Sequence, residues 1–369
     1  MIALHSLIQN TSSKNEGHIL RKLKAVALAA GIALSLAACD PPMPASLLVE
    51  LAEKNVQCES GSASLAIPSA SADLGATWAD AMAAACGDMS FDQVAEGESA
   101  EIEISAQTSE ACKPFARAPF SIDAGVFAFN SLDISSLNLD GKTIAGILSG
   151  QITQWDDPAL VAINPDNAMP ATEIILIKES TQPAIDALGA WVKTLGADSA
   201  GSKLTPTAAD FQSLLAELPE GAIALVPYSE ALLAGSMLAN VLNGPDAYEN
   251  VVVPGLDTIA SAATQWNVKS TDSAVEVSLD PSKKPVPPKG SDEAPLPYQA
   301  IYPVNIALCG SDSTLTRTIA RFFLRQDQQG VLATSTMVPL NENARIAGAQ
   351  LIAAGLPTPA PTDSQTPAE

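Results

Sequence analysis

Residues 139–165 read LDGKTIAGILSGQITQWDDPALVAINP, and the spacing of this stretch decides the fold. Residues 143–148 place Ile144, Ile147 and Leu148 on one face of a short helix. Gly141 breaks the chain ahead of Lys142. Gly150 stands where a helix C-terminal cap belongs, a left-handed position that glycine enters without a Cβ clash. Asp156 or Asp157 can cap a second helix, and Pro158 suits its first turn, where no backbone N–H is needed. Asn164-Pro165 ends it, because a proline restricts the residue before it. Trp155 anchors the link between the two helices.

This ordered run resembles the phosphate-binding protein of high-affinity phosphate ABC transporters, which carries a closely similar "L-x-G-K-T … G-x-I-x-x-W-x-D-P-A … N-P" segment at the start of its second lobe. The resemblance extends more thinly over about residues 60–350. It implies an α/β, two-lobed periplasmic-binding-protein-like fold, with two hinge strands and a ligand cleft between the lobes. The implied organisation is a first lobe from residues 58–123 and 305–352 and a second lobe from 124–304.

The family's phosphate loop is Ser/Gly/Thr-rich, contains an arginine and opens a helix. Here the corresponding residues are Lys178, Glu179, Ser180, Thr181, Gln182 and Pro183. An anion at a helix N-terminus needs free backbone N–H groups and small side chains around it. Pro183 removes one N–H, no glycine is left, and Glu179 adds a negative charge. Lys178 supplies charge but not the planar fork of arginine. Ser180 and Thr181 can donate hydroxyls, or can simply cap the helix over residues 182–195. In the first lobe, residues 64–70 resemble the family's ligand loop. Gly97-Glu98-Ser99-Ala100 resembles its small-residue turn, without the helix that should follow. The family's Ser-Asp pair has at best Gln107-Thr108 in its place. The ligand-binding residues implied are Lys178, Ser180, Thr181 and Ser99.

Elsewhere, apolar periodicity gives a strand in residues 62–70, a helix over 71–85, and short strands at 91–94 and 101–105. Residues 124–129 form an apolar strand that crosses between lobes. A strand is expected at 173–177, a helix at 207–218, a strand at 222–226 and a helix at 229–240. Residues 280–297 are proline-rich and read as an exposed loop. Tyr302-Pro303 and the apolar residues 304–308 resemble the return hinge strand, and a helix is expected over 313–326.

The N-terminus carries an export signal. Arg21, Lys22 and Lys24 precede an apolar stretch over residues 25–38, too short to span a bilayer comfortably. It ends Leu36-Ala37-Ala38-Cys39, which resembles the lipobox of bacterial lipoproteins. Residues 1–38 are thus a lipoprotein signal peptide, Cys39 the lipidation site, and 39–57 the anchor and tether. Residues 353–369 form a Pro-rich disordered tail. The expected location is the cell membrane, lipid-anchored on its extracytoplasmic face.

Of 369 residues, 47% are hydrophobic and only 4% aromatic, so aliphatic side chains must carry much of the packing. The net charge is −22, which argues against nucleic acid and removes long-range steering of anions. Both histidines, His5 and His18, lie in the signal region, which excludes Ser-His-acid or Cys-His catalysis and a His-ligated metal in the exported part. No catalytic residue, metal or cofactor is expected. Cys58, Cys86, Cys112 and Cys309 suit two disulfides in an exported protein. Topology favours Cys58–Cys86, because a helix running back along its strand returns its end to the strand's start. Cys112–Cys309 then remains, with buried free thiols as the alternative. Functionally, the sequence points to the substrate receptor of a phosphate-type ABC transporter, partnered by a small oxyanion and a membrane permease. The alternative is a repurposed scaffold whose anion site has decayed, acting as an interaction or regulatory lipoprotein.

Overall fold

A computed structural model describes residues 47, 48, 53, 57–199, 201–207, 210–244, 250–332 and 334–356. Val49–Glu369 forms a compact unit of its own, distinct from Met1–Leu48. The export signal, Cys39, most of the tether and the tail beyond residue 356 lie outside the described residues.

The first half opens β-α-β: β1 (Gly61–Ala66), α1 (Ala72–Ala85), β2 (Met89–Val94), then β3 (Ile102–Ser105). β1 pairs parallel with both β2 and β3. β4 (Pro114–Asn130) follows, 17 residues long and almost wholly buried. Next come β5 (Asn138–Leu139), α2 (Gly141–Ser149), α3 (Pro158–Ile163), β6 (Ile175–Ile177), β7 (Glu179–Ser180), α4 (Gln182–Thr194) and β8 (Thr205–Pro206). α5 (Phe211–Ala216), β9 (Ala222–Pro227), α6 (Tyr228–Leu233), β10 (Met237–Leu238), β11 (Asn240–Leu242) and β12 (Val251–Val252) complete this stretch. The remainder comprises α7 (Leu256–Ala263), β13 (Trp266–Ser270), β14 (Val275–Leu279), β15 (Ile301–Cys309), α8 (Thr314–Phe323), α9 (Gln326–Leu332), β16 (Val338–Pro339) and α10 (Glu342–Ala353).

One nine-stranded sheet runs β2-β1-β3-β15-β4-β9-β6, with β10 and β16 also paired to β4. β4 belongs to both halves. Its residues up to Ala124 pair with β15, and Gly125–Asn130 pair with β9. Ile301, at the start of β15, lies opposite Ala124, so both crossing segments meet there. The β13–β14 hairpin packs on β4 and α10, and α7 packs on β4.

The quoted segment folds by its own caps. Asp140 accepts from the Thr143 N–H at 2.7 Å while its own N–H donates to the Thr143 hydroxyl at 2.9 Å, a reciprocal capping box. Gly141 opens α2 rather than breaking it, and Gly150 closes it at φ +73°. Asp157, not Asp156, caps α3 ahead of Pro158. Trp155 is fully buried and its indole N–H donates to the Gly221 carbonyl at 3.1 Å, tying the link to β9.

Two helices end sooner than their apolar spacing suggests. The helix expected at 207–218 is reduced to α5, opened by the Asp210 cap. The helix expected over 229–240 stops at Leu233. The chain then turns through Gly235 at φ +64°, and Met237–Leu238 and Asn240–Leu242 form strands, because β4 and β5 offer open edges there. Both disulfides form as topology favoured: Cys58–Cys86 and Cys112–Cys309, with Cα separations of 5.4 and 5.1 Å. The few aromatics are concentrated inside. Trp78 packs on Phe120 and Phe323, and Trp191 on Tyr298.

Candidate functional site

The crossing point of β4 holds a carboxylate. Asp123 is only 6% exposed in an otherwise apolar strand. Three donors satisfy it: the Ala124 N–H at 2.7 Å, the Ser229 N–H at 3.1 Å and the Ser229 hydroxyl at 2.7 Å. Burial nevertheless pushes its pKa up to about 6, against the partial relief of those bonds. Tyr302 lies directly opposite on β15, close enough for Asp123 and Thr181 both to act on its phenol. Burial raises the Tyr302 phenol well above its ordinary range, so it remains a donor. Thr181, Tyr302, Asp123 and Ser229 are thus gathered at one crossing point of the sheet.

α4 brings Thr181 into this group. Thr181 caps the helix, its side chain accepting from the Ala184 N–H at 3.3 Å. The helix approaches closely because residue 125 is glycine. A Cβ there would lie 2.9 Å from the Ala184 carbonyl. Ser180, the preceding residue, is fully buried and its hydroxyl has no hydrogen-bond partner.

A second carboxylate faces the first-lobe loop. Glu230, on α6, accepts from the Gln212 amide and, at 3.5 Å, from the Ser69 hydroxyl. Burial raises its pKa, and Glu96 nearby adds to the shift. Glu96 itself takes the Ser69 N–H at 3.0 Å. The donors at the start of the turn before α1 are thus already met by acids.

Beside Tyr302 opens a cavity of about 490 Å³. On one side stand Ala106 and Gln107, just after β3. On the other stand Gln182, Pro183, Asp186 and Ala187, from the first turns of α4. The hairpin supplies an apolar wall of Trp266, Val277 and Leu279, and β15 supplies Ile301, Tyr302 and Pro303. Gln107, at the position that corresponds to the family's Ser-Asp pair, therefore lines the cavity, and no lysine or arginine is among the described residues that line it.

Of the residues singled out in the sequence, Ser180 and Thr181 sit together at the start of α4. Lys178 is exposed, its carbonyl accepting from the Thr205 N–H at 2.7 Å, and Ser99 lies in an exposed turn. Asp123, Ser229, Glu230 and Trp266 were not singled out. The signal for Asp123 was a charged residue at the centre of FSIDAGVF. The buried group Glu103, Cys112 and Cys309 is no open metal centre: the two cysteines are bonded and Glu103 accepts from Ser105 and Ser109.

No family model matches the chain. Phosphate-binding protein PstS 3 of Mycobacterium tuberculosis (strain ATCC 25618 / H37Rv) is 44% identical over 54 residues, 15% of this chain and 15% of that protein. Phosphate-binding protein PstS of Haemophilus influenzae is 48% identical over 44 residues, 12% and 13% of the respective chains. The match thus spans only about 15% of the length of the curated relatives. Among solved structures, a high-affinity periplasmic phosphate-binding protein (PfluDING) bound with phosphate aligns with TM-score 0.51 at 14% identity, covering 81% of this chain and all of the other. The ancestral soluble variant of the human phosphate-binding protein gives TM-score 0.50 at 14% identity, covering 78% and 93%. The sequence resemblance is to phosphate-binding proteins, and the fold is theirs: mixed α/β with two lobes.

Proposed function

We propose that this chain is an extracytoplasmic solute-binding lipoprotein, anchored through Cys39, that serves as substrate receptor of a phosphate-type ABC transporter and delivers its solute to a membrane permease. The ligand expected on this reading is phosphate or another small oxyanion, and no catalytic role is proposed. One observation carries the reading: the buried, unpartnered Ser180 hydroxyl stands beside the Thr181 cap, next to the Tyr302–Asp123 pair. Donors at a helix N-terminus stabilise an anion, and a single buried acceptor suits an oxyanion that still holds a proton. Ser180 and Thr181 are the proposed direct contacts, with Lys178 and Ser99 reaching the ligand only if the lobes or loops rearrange.

A second reading is favoured by a different observation. Glu96 and Glu230 already take the Ser69 donors, so the first-lobe half of an anion site is filled by the protein's own carboxylates. That suits a scaffold retained for another role at the cell surface. Titration calorimetry with phosphate, sulfate and arsenate separates the two. Phosphate binding that weakens at least tenfold in Ser180→Ala and Thr181→Ala is expected of the receptor. Absence of heat and of thermal stabilisation with every oxyanion supports the second reading.

A further inference from the structure

The cavity beside Tyr302 is larger and less polar than a tetrahedral oxyanion requires. At about 490 Å³ it falls in the range of sites for whole organic molecules. Its charge is also of the wrong sign for an anion. Among the described residues that line it, Asp186 is the one of acidic or basic type, and Gln107 and Gln182 add amides that can accept hydrogen bonds. Gln182 donates its amide N–H to Asp186 at 2.6 Å, which holds the carboxylate over the first turn of α4. Asp123 lies behind Tyr302, and Glu230 is close enough to perturb it. The hairpin part of the lining is aromatic and aliphatic: Trp266, paired with Leu279 across the hairpin, and Val277. An aromatic and aliphatic surface and a carboxylate lining one cavity are the chemistry that takes an ammonium group on an apolar body.

We propose that this cavity takes an organic ammonium ion, its apolar body against Trp266, Val277 and Leu279 and its charged end towards Asp186. The inference rests on the solute-receptor reading and concerns the cavity beside Tyr302, whose lining includes neither Ser180 nor Thr181. It also accounts for a hairpin wall placed beside the start of α4, where a free oxyanion would gain nothing from apolar contact.

The test is titration calorimetry of the purified protein with benzylamine, benzyl alcohol, benzoate and inorganic phosphate, repeated on Asp186→Asn and Ala187→Phe. Asp186 is exposed and Ala187 half-buried, so both variants should fold, which melting curves check. Benzylamine is expected to bind about tenfold tighter than benzyl alcohol and tighter still than benzoate, each tenfold step being one decade in Kd. Asp186→Asn should erase most of the amine's advantage over the alcohol, and Ala187→Phe should abolish binding of both by filling the cavity. Equal binding of benzylamine and benzoate, or an amine advantage untouched by Asp186→Asn, overturns the proposal. Phosphate binding with no response to benzylamine overturns it too, while leaving the oxyanion receptor intact. Silence with all four probes removes both readings. Amine binding without phosphate binding supports the proposal and withdraws the oxyanion.

Discussion

Asp123 and Tyr302 face each other across the antiparallel pair β4–β15, at the point where the two halves of the sheet meet, and the Asp123 charge adds to the burial that raises the Tyr302 phenol. An acid and a phenol placed in register on two strands are held by backbone pairing, so their geometry does not depend on a mobile loop. This gives the site a fixed acceptor with an unusual titration.

Folded Asp123 holds its proton to about pH 6, whereas an unperturbed carboxyl releases it near 3.8. Its contribution to stability is therefore full below about pH 4 and is lost as pH rises through 6. The swing is about 3 kcal/mol at most. Asp123→Asn should flatten this part of the Tm–pH curve, so the variant gains on the parent as pH rises from 4.5 to about 7. Parallel curves would show that burial does not govern this carboxyl.

Gly125 lets α4 pack against β4 with the Ala184 backbone 2.9 Å from where a Cβ would stand. Gly125→Ala must push α4 outward, at a cost of about 1–3 kcal/mol. Because Ser180 and Thr181 open that helix, ligand affinity should fall as well. Gly87→Ala, where a Cβ meets nothing within 4 Å, is the control and should leave both Tm and affinity unchanged.

The disulfides close loops of very different span, 28 and 197 residues. On the chain-entropy account, Cys58–Cys86 contributes about 4 kcal/mol and Cys112–Cys309 about 5 kcal/mol. Denaturant titration of the two double-serine variants should rank them in that order. The reverse ranking would mean that the Cys112–Cys309 loop is already constrained in the unfolded chain.

Arg345 is 2% exposed, pairs with Glu53 and Glu342, and donates to the Leu324 carbonyl at 3.1 Å. Removing it strands Glu53, whose side chain is only 10% exposed. Arg345→Ala should cost about 3–5 kcal/mol. A loss below about 1 kcal/mol, as for exposed pairs, would show that water reaches these charges.

What could be read from the sequence was local. Asp140, Thr143, Gly150 and Asp157 act on backbone groups a few residues away, so α2 and α3 were legible from spacing alone. Thr181 was legible as a cap for the same reason. The disulfides followed from the β-α return. The Asp123 site was not legible, because Ser229 and Tyr302 reach it from 106 and 179 residues away and only the sheet brings them together. The spacing predicts a helix through residue 240 because Met237 and Leu238 fit a helical period as well as a strand, and only the open edges of β4 and β5 decide between them. Trp266 and Val277 do alternate with polar residues, the signature of the hairpin that walls the cavity, and that period-two signal went unused.

A strand that is paired on both sides of its crossing point has no free linker there. β4 is one strand across both halves of the sheet, pairing with β15 up to Ala124, with its register shifts confined to residues before Ser121, and with β9 from Gly125. Any widening of the cleft must therefore be a flexure, spread over many small torsions, instead of a swivel about one bond. A flexure has stiffness, and that stiffness acts as a restoring force on whatever occupies the cavity. On the receptor reading proposed above, solute release depends on how readily this ribbon bends, which ties the speed of exchange to residues buried along β4.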